Sequence, residues 1–588
     1  ADFCRAPDTV PQFDQIKAKL NEYESKQILL LSAGEYLRLC IKRELNAERR
    51  QFLPFWEMQQ SEASRTRIIM PMFSCRDIFD RVVGTVDERQ RDLVWTLDTA
   101  PTAESYNISV YSTKFKEAIN PDANNLTGWL YDWQKILRRD MPCTIVTIQE
   151  SNVETSYGTV NIKPINSPFR YLTDFLSDGD VLVEKWENDN FWSSMVTYTS
   201  KFHDKASFRQ IVIHALNVKD FDFISVAARW KTLDEFQKEL VWLWYHVYPT
   251  GDYYSYACCK AASAMDIPAR IRDEILLISS RSETWIKQRM SAMKALNFSS
   301  FDDIYFALMD KLPLAETKLQ LLTYQTHEEK TYAVKVISGL LRSGIDPDAV
   351  ADMIANGYPA LAAYIKDNTN CDEAVDEYMS WYRKNKLINR YPGDYPIAMT
   401  FDRFDSRYKL MHQMKGKDCV SFWIDGFGVE YAPLFLHELR ARGIIPDSIK
   451  IATALLPTET DYNHQWDEND PMTVKWDRLD SCSHKGMPDD KSYYSCIVYQ
   501  LAVFADAAKK VEELLNKHDY VVITGDHGSS RFAALAFHDT SVVSVTAPNQ
   551  STIRSFGRFC ELDEKSVDML PLSETSKITA MIGGKTFL

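Results

Sequence analysis

The sequence predicts an α/β protein in three parts. These are an amino-terminal α/β domain over residues 1–180, a helical domain over 181–400, and a carboxy-terminal α/β domain with a mostly parallel sheet over 401–588. Three observations predict this. Short β-branched or apolar runs alternate with helical segments in the first 180 residues. Apolar residues then recur at helical spacing up to about residue 400. After the turn-forming stretch NRYPGDYP at 389–396, strand-like runs alternate again with amphipathic segments, and several of these runs end in polar motifs.

In the first part the strand-like runs are 26–31 (KQILLL), 67–73 (RIIMPMF), 92–97 (DLVWTL), 107–111 (NISVY) and 144–148 (TIVTI), with helical character around Tyr36 to Trp56. No Gly-rich phosphate loop follows any of them. Asp98, after the third run, reads as a cap or turn residue and not as a phosphoryl acceptor. In the second part FQKELVWLWYHVY, ARIRDEILLISSRSETWIKQRM and VADMIANGYPALAAYI carry the helical period, and their aromatics read as core. In the third part 418–424 (DCVSFWI) is an apolar strand ending at Asp425-Gly426. A helix follows from about Ala432 to Arg442, then a strand at 448–455 (SIKIATAL). A long helix runs from Tyr499 to Asn516, and a buried-type strand from Tyr520 to Ile523 ends in TGDHG. Parallel sheets of this kind bind ligands beyond the carboxyl ends of their strands.

Composition sets the outer limits. A chain of 588 residues, 45% hydrophobic, exceeds one compact core. The net charge of -14 excludes a whole-chain basic footprint for nucleic acid, and Arg138-Arg139 and Arg270/Arg272 read as solvated faces. The 11 cysteines are odd in number and include no CxxC pair, which predicts reduced thiols and a cytoplasmic location. No uncharged apolar run is long enough to span a bilayer, and the amino terminus has neither the basic start nor the apolar stretch of a signal peptide.

Four short motifs carry chemistry. Asp425-Gly426 ends the first strand of the last part. Pro457-Thr458-Glu459-Thr460-Asp461-Tyr462-Asn463-His464 follows the 448–455 run. Asp480 and His484 stand four apart, on one face of a helical turn. Gly525-Asp526-His527-Gly528 closes the last strand. Carboxylate and imidazole side by side suit zinc or a similar divalent ion. A Thr hydroxyl becomes a competent nucleophile when such an ion lowers its pKa.

In this order the motifs resemble the alkaline-phosphatase superfamily, especially its nucleotide phosphodiesterase branch. The segment GDHGSSRFAAL followed by SFGRFC is similar to the PglZ family of bacterial phage-exclusion (BREX) systems, and the resemblance covers residues 400–588. It implies an alkaline-phosphatase-like carboxy-terminal domain and a phosphodiesterase or phosphatase working through a covalent phospho-threonine at Thr460. It further implies two divalent ions, zinc or manganese. Asp425, Thr460, Asp526 and His527 would hold one, and Asp480 and His484 the other. Asn463 would contact the phosphoryl group, and Glu430 would support the first ligands. The expected partners are a phosphoester, a nucleotide or nucleic acid among the candidates, and other BREX proteins, with no membrane.

The sequence departs from the family in two places. Gly428 stands where an Arg is common. Phe556 stands where a late metal-ligating His is expected, and His538 is the nearest substitute. The first departure, with neutral Asn463 as donor, predicts a preference for diesters over monoesters; Arg531 is the residue that would reverse it. The second keeps an alternative open, a metal-binding BREX scaffold of low turnover.

Overall fold

The structure is a computed structural model. It describes residues 160–182, 189–202, 205–392, 403–414, 419–455, 458–463, 472–483, 490–528 and 531–532. It also describes 2–4, 18, 27–30, 56–57, 67–70, 79–80, 83–95, 106–112, 143–147, 535, 552–554, 559–562, 580–582 and 585–587. The described chain is mostly helical with small parallel sheets, broadly α/β. It forms two compact units, one of residues 1–222, 230–251 and 261–265, the other of residues 223–229, 252–260 and 266–588. No helix among the described residues is long and apolar enough to cross a membrane.

The first unit holds two three-stranded parallel sheets. Strands β1 (Asp2–Cys4), β2 (Gln27–Leu30) and β3 (Arg67–Ile69) lie in that order. Strands β4 (Tyr106–Ser112), β5 (Cys143–Thr147) and β6 (Val160–Ile165) lie in the order β5-β4-β6. The sequence reading missed β6 because Pro164 interrupts it. As an edge strand, β6 tolerates a residue with no N–H to give. The strand expected at 92–97 is not formed over its described part. Residues Glu88–Leu93 make a 3-10 helix, because the Asp87 side chain accepts from the amides of Arg89 and Gln90 while Gln90 reaches back to the Asp87 amide. Trp95, 84% exposed, gives that run no buried face. Asp98 and, apart from Trp56, the segment around Tyr36 to Trp56 lie outside the described residues.

In the second unit ARIRDEILLISSRSETWIKQRM becomes two helices, Ile267–Leu277 and Glu283–Leu296. The second starts where the Ser282 hydroxyl accepts from the Trp285 amide. VADMIANGYPALAAYI likewise divides into Pro347–Ile354 and Pro359–Lys366. Pro359 opens the second of these, where its missing N–H costs nothing.

The sheet that positions the site is three parallel strands in the order β8-β7-β9. They are β7 (Cys419–Ile424), β8 (Thr473–Trp476) and β9 (Tyr520–Thr524). Every residue of β7 is buried, as its apolar run requires of a central parallel strand. Helices Ala432–Ala441 and Asp490–Leu515 pack together beside it. Phe504 is fully buried between Phe427, Tyr431 and Phe435, with ring centroids 5.7, 5.0 and 5.5 Å away. Burying such a ring contributes about 1.5–3 kcal/mol.

The strand expected at 448–455 is absent from this sheet. That segment makes one isolated bridge, Thr453 to Ser406, and leaves Ile449 and Leu455 exposed. The edge place beside β7 goes to TVKW instead. Beyond it, β10 (Thr552–Arg554), β11 (Phe559–Leu562), β12 (Ala580–Ile582) and β13 (Lys585–Phe587) form a separate antiparallel sheet, in the order β10-β11-β13-β12.

Candidate metal centre

The centre forms where β7 and β9 end. Asp425 follows β7, and its amide bonds back to Trp476 O at 3.0 Å. The chain then turns at Gly426, whose φ of +79° favours glycine. Asp526 and His527 follow β9 through Gly525. A Cβ on Gly525 would lie 1.9 Å from Phe427 O, so only glycine fits between the two turns. The same closeness explains Gly428: a Cβ there would sit 2.9 Å from Gly528 Cα, which leaves no room for the Arg expected at that position.

Asp425, Asp526 and His527 are 6%, 1% and 6% exposed, and one ligand atom from each lies within 4.8 Å of the others. His527 Nε2 is 3.4 Å from Asp425 Oδ1, 3.6 Å from Asp526 Oδ2 and 3.8 Å from Asp480 Oδ1. His527 Nδ1 lies 3.1 Å from Gly528 O, a contact that orients the ring with Nε2 toward the carboxylates. Asp526 Oδ1 accepts from the amides of Gly426 and His527 at 3.0 and 2.9 Å. Its Oδ2 accepts from the Thr460 hydroxyl at 2.7 Å, and Thr460 Oγ1 is 3.5 Å from Asp425 Oδ1.

The electrostatics follow from these contacts. Burial pushes the Asp526 carboxyl up. The His527 charge, the Thr460 hydroxyl and the two amides outweigh burial and hold the carboxyl below the usual carboxylate range. For His527, burial favours the neutral ring. The hydrogen bond to Asp425 and the charges of Asp526 and Asp480 prevail and raise its pKa above the ordinary value. Two buried carboxylates beside an imidazole form a donor set that fits a divalent ion such as zinc.

Four of the sequence-predicted residues, Asp425, Thr460, Asp526 and His527, therefore converge, with Asp480 beside them on the helix Arg478–Ser483. His484, His538 and Phe556 lie outside the described residues. Asn463 is placed differently from the expected phosphoryl contact. It is 1% exposed; its amide nitrogen donates to Leu455 O and Glu459 O at 3.0 Å each, and its oxygen accepts from the Leu455 amide at 2.7 Å. It closes the loop that presents Thr460. Arg531 donates to Asn389 Oδ1 and stacks over Tyr493, 4.1 Å from the ring centroid.

Two cations went unread in the sequence. Lys475 Nζ lies 3.5 Å from Asp425 Oδ2. Arg407 donates to the carbonyl of Asn463, and burial lowers its pKa to about 10. Reading TVKW as a strand would have found Lys475, since it pairs in register with Trp423, two residues before Asp425.

Behind the Asp425 turn lies a buried ion pair. Glu430 and Lys386, from the helix Glu373–Ile388, are 4% and 1% exposed in their side chains. Tyr364 also donates to Glu430 Oε1, Lys386 donates to Tyr431 Oη at 2.7 Å, and Tyr431 donates to Gln500 Oε1 at 2.8 Å. Glu430 thus ties the short helix Val429–Tyr431, which follows the Asp425 turn, to the helix Glu373–Ile388.

Comparisons with protein-family models, with curated proteins and with solved structures returned no match.

Proposed function

We propose that this protein is a metal-dependent phosphoric ester hydrolase of the alkaline-phosphatase type, PglZ-like over residues 401–588, and that it serves a BREX phage-defence system in the cytoplasm. The observation that carries the reading is the Thr460 hydroxyl, hydrogen-bonded to Asp526 at 2.7 Å beside the Asp425, Asp526 and His527 cluster. These three residues would hold one divalent ion. When bound, such an ion lowers the pKa of the neighbouring hydroxyl and offsets charge on phosphoryl oxygens. The second ion implied by the family resemblance would draw on Asp480 with His484 and His538.

The chain's own residues have distinct tasks. Asp526 fixes the Thr460 hydroxyl and is placed to accept its proton. Attack makes a Thr460 Oγ–phosphorus bond and breaks the bond to the leaving ester oxygen, which departs as an alcohol. Water then cleaves the phospho-threonine and restores the hydroxyl. Asn463 and Arg407 hold the loop from which Thr460 acts.

Hydrolysis of bis-p-nitrophenyl phosphate and p-nitrophenyl phosphate by the zinc- or manganese-loaded protein tests this. Thr460→Ala should lower kcat/KM at least about a hundredfold while metal content stays unchanged. Equal activity of Thr460→Ala and wild type removes Thr460 from the mechanism. Wild-type protein that binds metal but turns over neither ester favours the scaffold alternative.

A further inference from the structure

We infer that Arg407 is a positioning residue of this centre: it fixes the short helix that carries Thr460, and its charge weakens the centre's hold on the divalent ion. The role of Thr460 is here that of the ester-hydrolase function proposed above, whereas the effect on the ion needs only the cluster of Asp425, Asp526 and His527. Arg407 opens the helix Arg407–Met414 and is 8% exposed. Its amide donates to Thr453 O at 2.9 Å, beside the bridge of Ser406 to Thr453, and the Thr453 amide donates to Asp405 O at 3.1 Å. Its guanidinium donates to Asn463 O at 2.5 Å. One residue thus holds the chain before Thr460, at Thr453, and after it, at Asn463. Asn463 is the last residue of the helix Thr460–Asn463. Carbonyls at such an end lack a partner within their own helix, and a cation meets them favourably.

The same guanidinium acts through its charge. Burial brings its pKa down to about 10, against the attraction of Asp526, and the group stays charged at neutral pH. Asp526 is both the acceptor of the Thr460 hydroxyl, at 2.7 Å, and a member of the metal cluster. Arg407 therefore reaches Thr460 by two routes, the Asn463 carbonyl and the Asp526 carboxylate. The consequence for a metal has a definite sign. A fixed cation and a divalent ion that draw on one carboxylate repel each other, and among buried groups salt screens that repulsion little. Arg407 thus stabilises the metal-free centre, in which Asp526 keeps an opposite charge nearby and Thr460 keeps its acceptor. The nucleophile is in place before the ion arrives, and the ion is held less tightly than the carboxylates alone would hold it.

The test compares the full chain as wild type, Arg407→Gln and Arg407→Lys. The glutamine keeps a donor for the Asn463 carbonyl and loses the charge; the lysine keeps the charge. Competition with a chromogenic chelator gives the affinity for the first zinc ion per chain, and bis-p-nitrophenyl phosphate at saturating zinc gives kcat and KM. Arg407→Gln should bind zinc at least about tenfold more tightly than wild type, and Arg407→Lys within about threefold of it. At saturating zinc kcat should fall at least about tenfold in Arg407→Gln while KM stays within about threefold, because Arg407 acts through Thr460 and not on the substrate. Zinc affinity in Arg407→Gln that is equal to or weaker than wild type overturns the inference, the weaker value being what a merely structural arginine would give. An unchanged kcat, or a raised KM with kcat intact, overturns the positioning role. If Arg407→Gln fails to fold, a zinc affinity in Arg407→Lys more than about tenfold from wild type overturns the role of the charge. A wild type that binds zinc but hydrolyses no ester sinks the proposed function and leaves the zinc affinities to decide the inference; a wild type that takes up no zinc overturns both.

Discussion

Lys386→Met removes the ammonium from a pair that is almost fully buried. In the variant Glu430 keeps the Tyr364 hydroxyl as donor, but its Oε2 already has no hydrogen-bond partner among the described residues. Removing one partner of a buried pair costs about 3–5 kcal/mol. The Lys386 bond to Tyr431 is also lost, at about 1 kcal/mol. The expected destabilisation at pH 7 is therefore about 4–6 kcal/mol.

Hydrogen exchange of the β7 amides reads this locally, as a loss of protection of at least about a thousandfold at pH 7. A Lys386→Met protein with wild-type protection at pH 7 would refute the reasoning.

Other outcomes follow from the centre itself. The carboxylate neighbours raise the His527 pKa, so zinc binding near neutral pH should release protons, read by calorimetry in buffers of different ionisation enthalpy; binding without proton release would remove His527 as a ligand. Gly525→Ala drives a methyl group into Phe427 O and should cost about 3 kcal/mol or more, whereas Gly528→Ala meets Gly428 Cα at an ordinary 3.7 Å and should cost less than about 1 kcal/mol in the same melting experiment. Asn463→Ala deletes three buried bonds and should cost about 2–3 kcal/mol, lowering ester hydrolysis with metal content unchanged. A phosphate-binding defect in Asn463→Ala with full stability would instead return Asn463 to the phosphoryl contact.

Asp425, Asp526 and His527 were legible in the sequence because each ends an apolar strand, and strand ends in a parallel sheet point to one crevice. Thr460 was legible from its short motif. β8 was not, because four residues with a central Lys carry too little hydrophobic pattern to stand out, whereas SIKIATAL alternates well yet finds no strand beside it. Asn463 was recognised, but its bonds within its own loop were not legible: which way a buried amide turns depends on the closure of that loop, which residue type does not reveal. Lys386 was invisible for a related reason. It lies in a helix whose period predicts only that some face is buried, and its counter-ion is 44 residues away in sequence.

That last separation bears on how the carboxy-terminal portion could be isolated. A cut near residue 400, where the motifs suggest the hydrolase portion begins, would discard the helix Glu373–Ile388 and the hydroxyl of Tyr364, and so both named donors to Glu430. The excised fragment would carry an uncompensated acid directly after the turn that bears Asp425. Expression of such a fragment should give aggregated material, and the minimal soluble piece must reach back past residue 364.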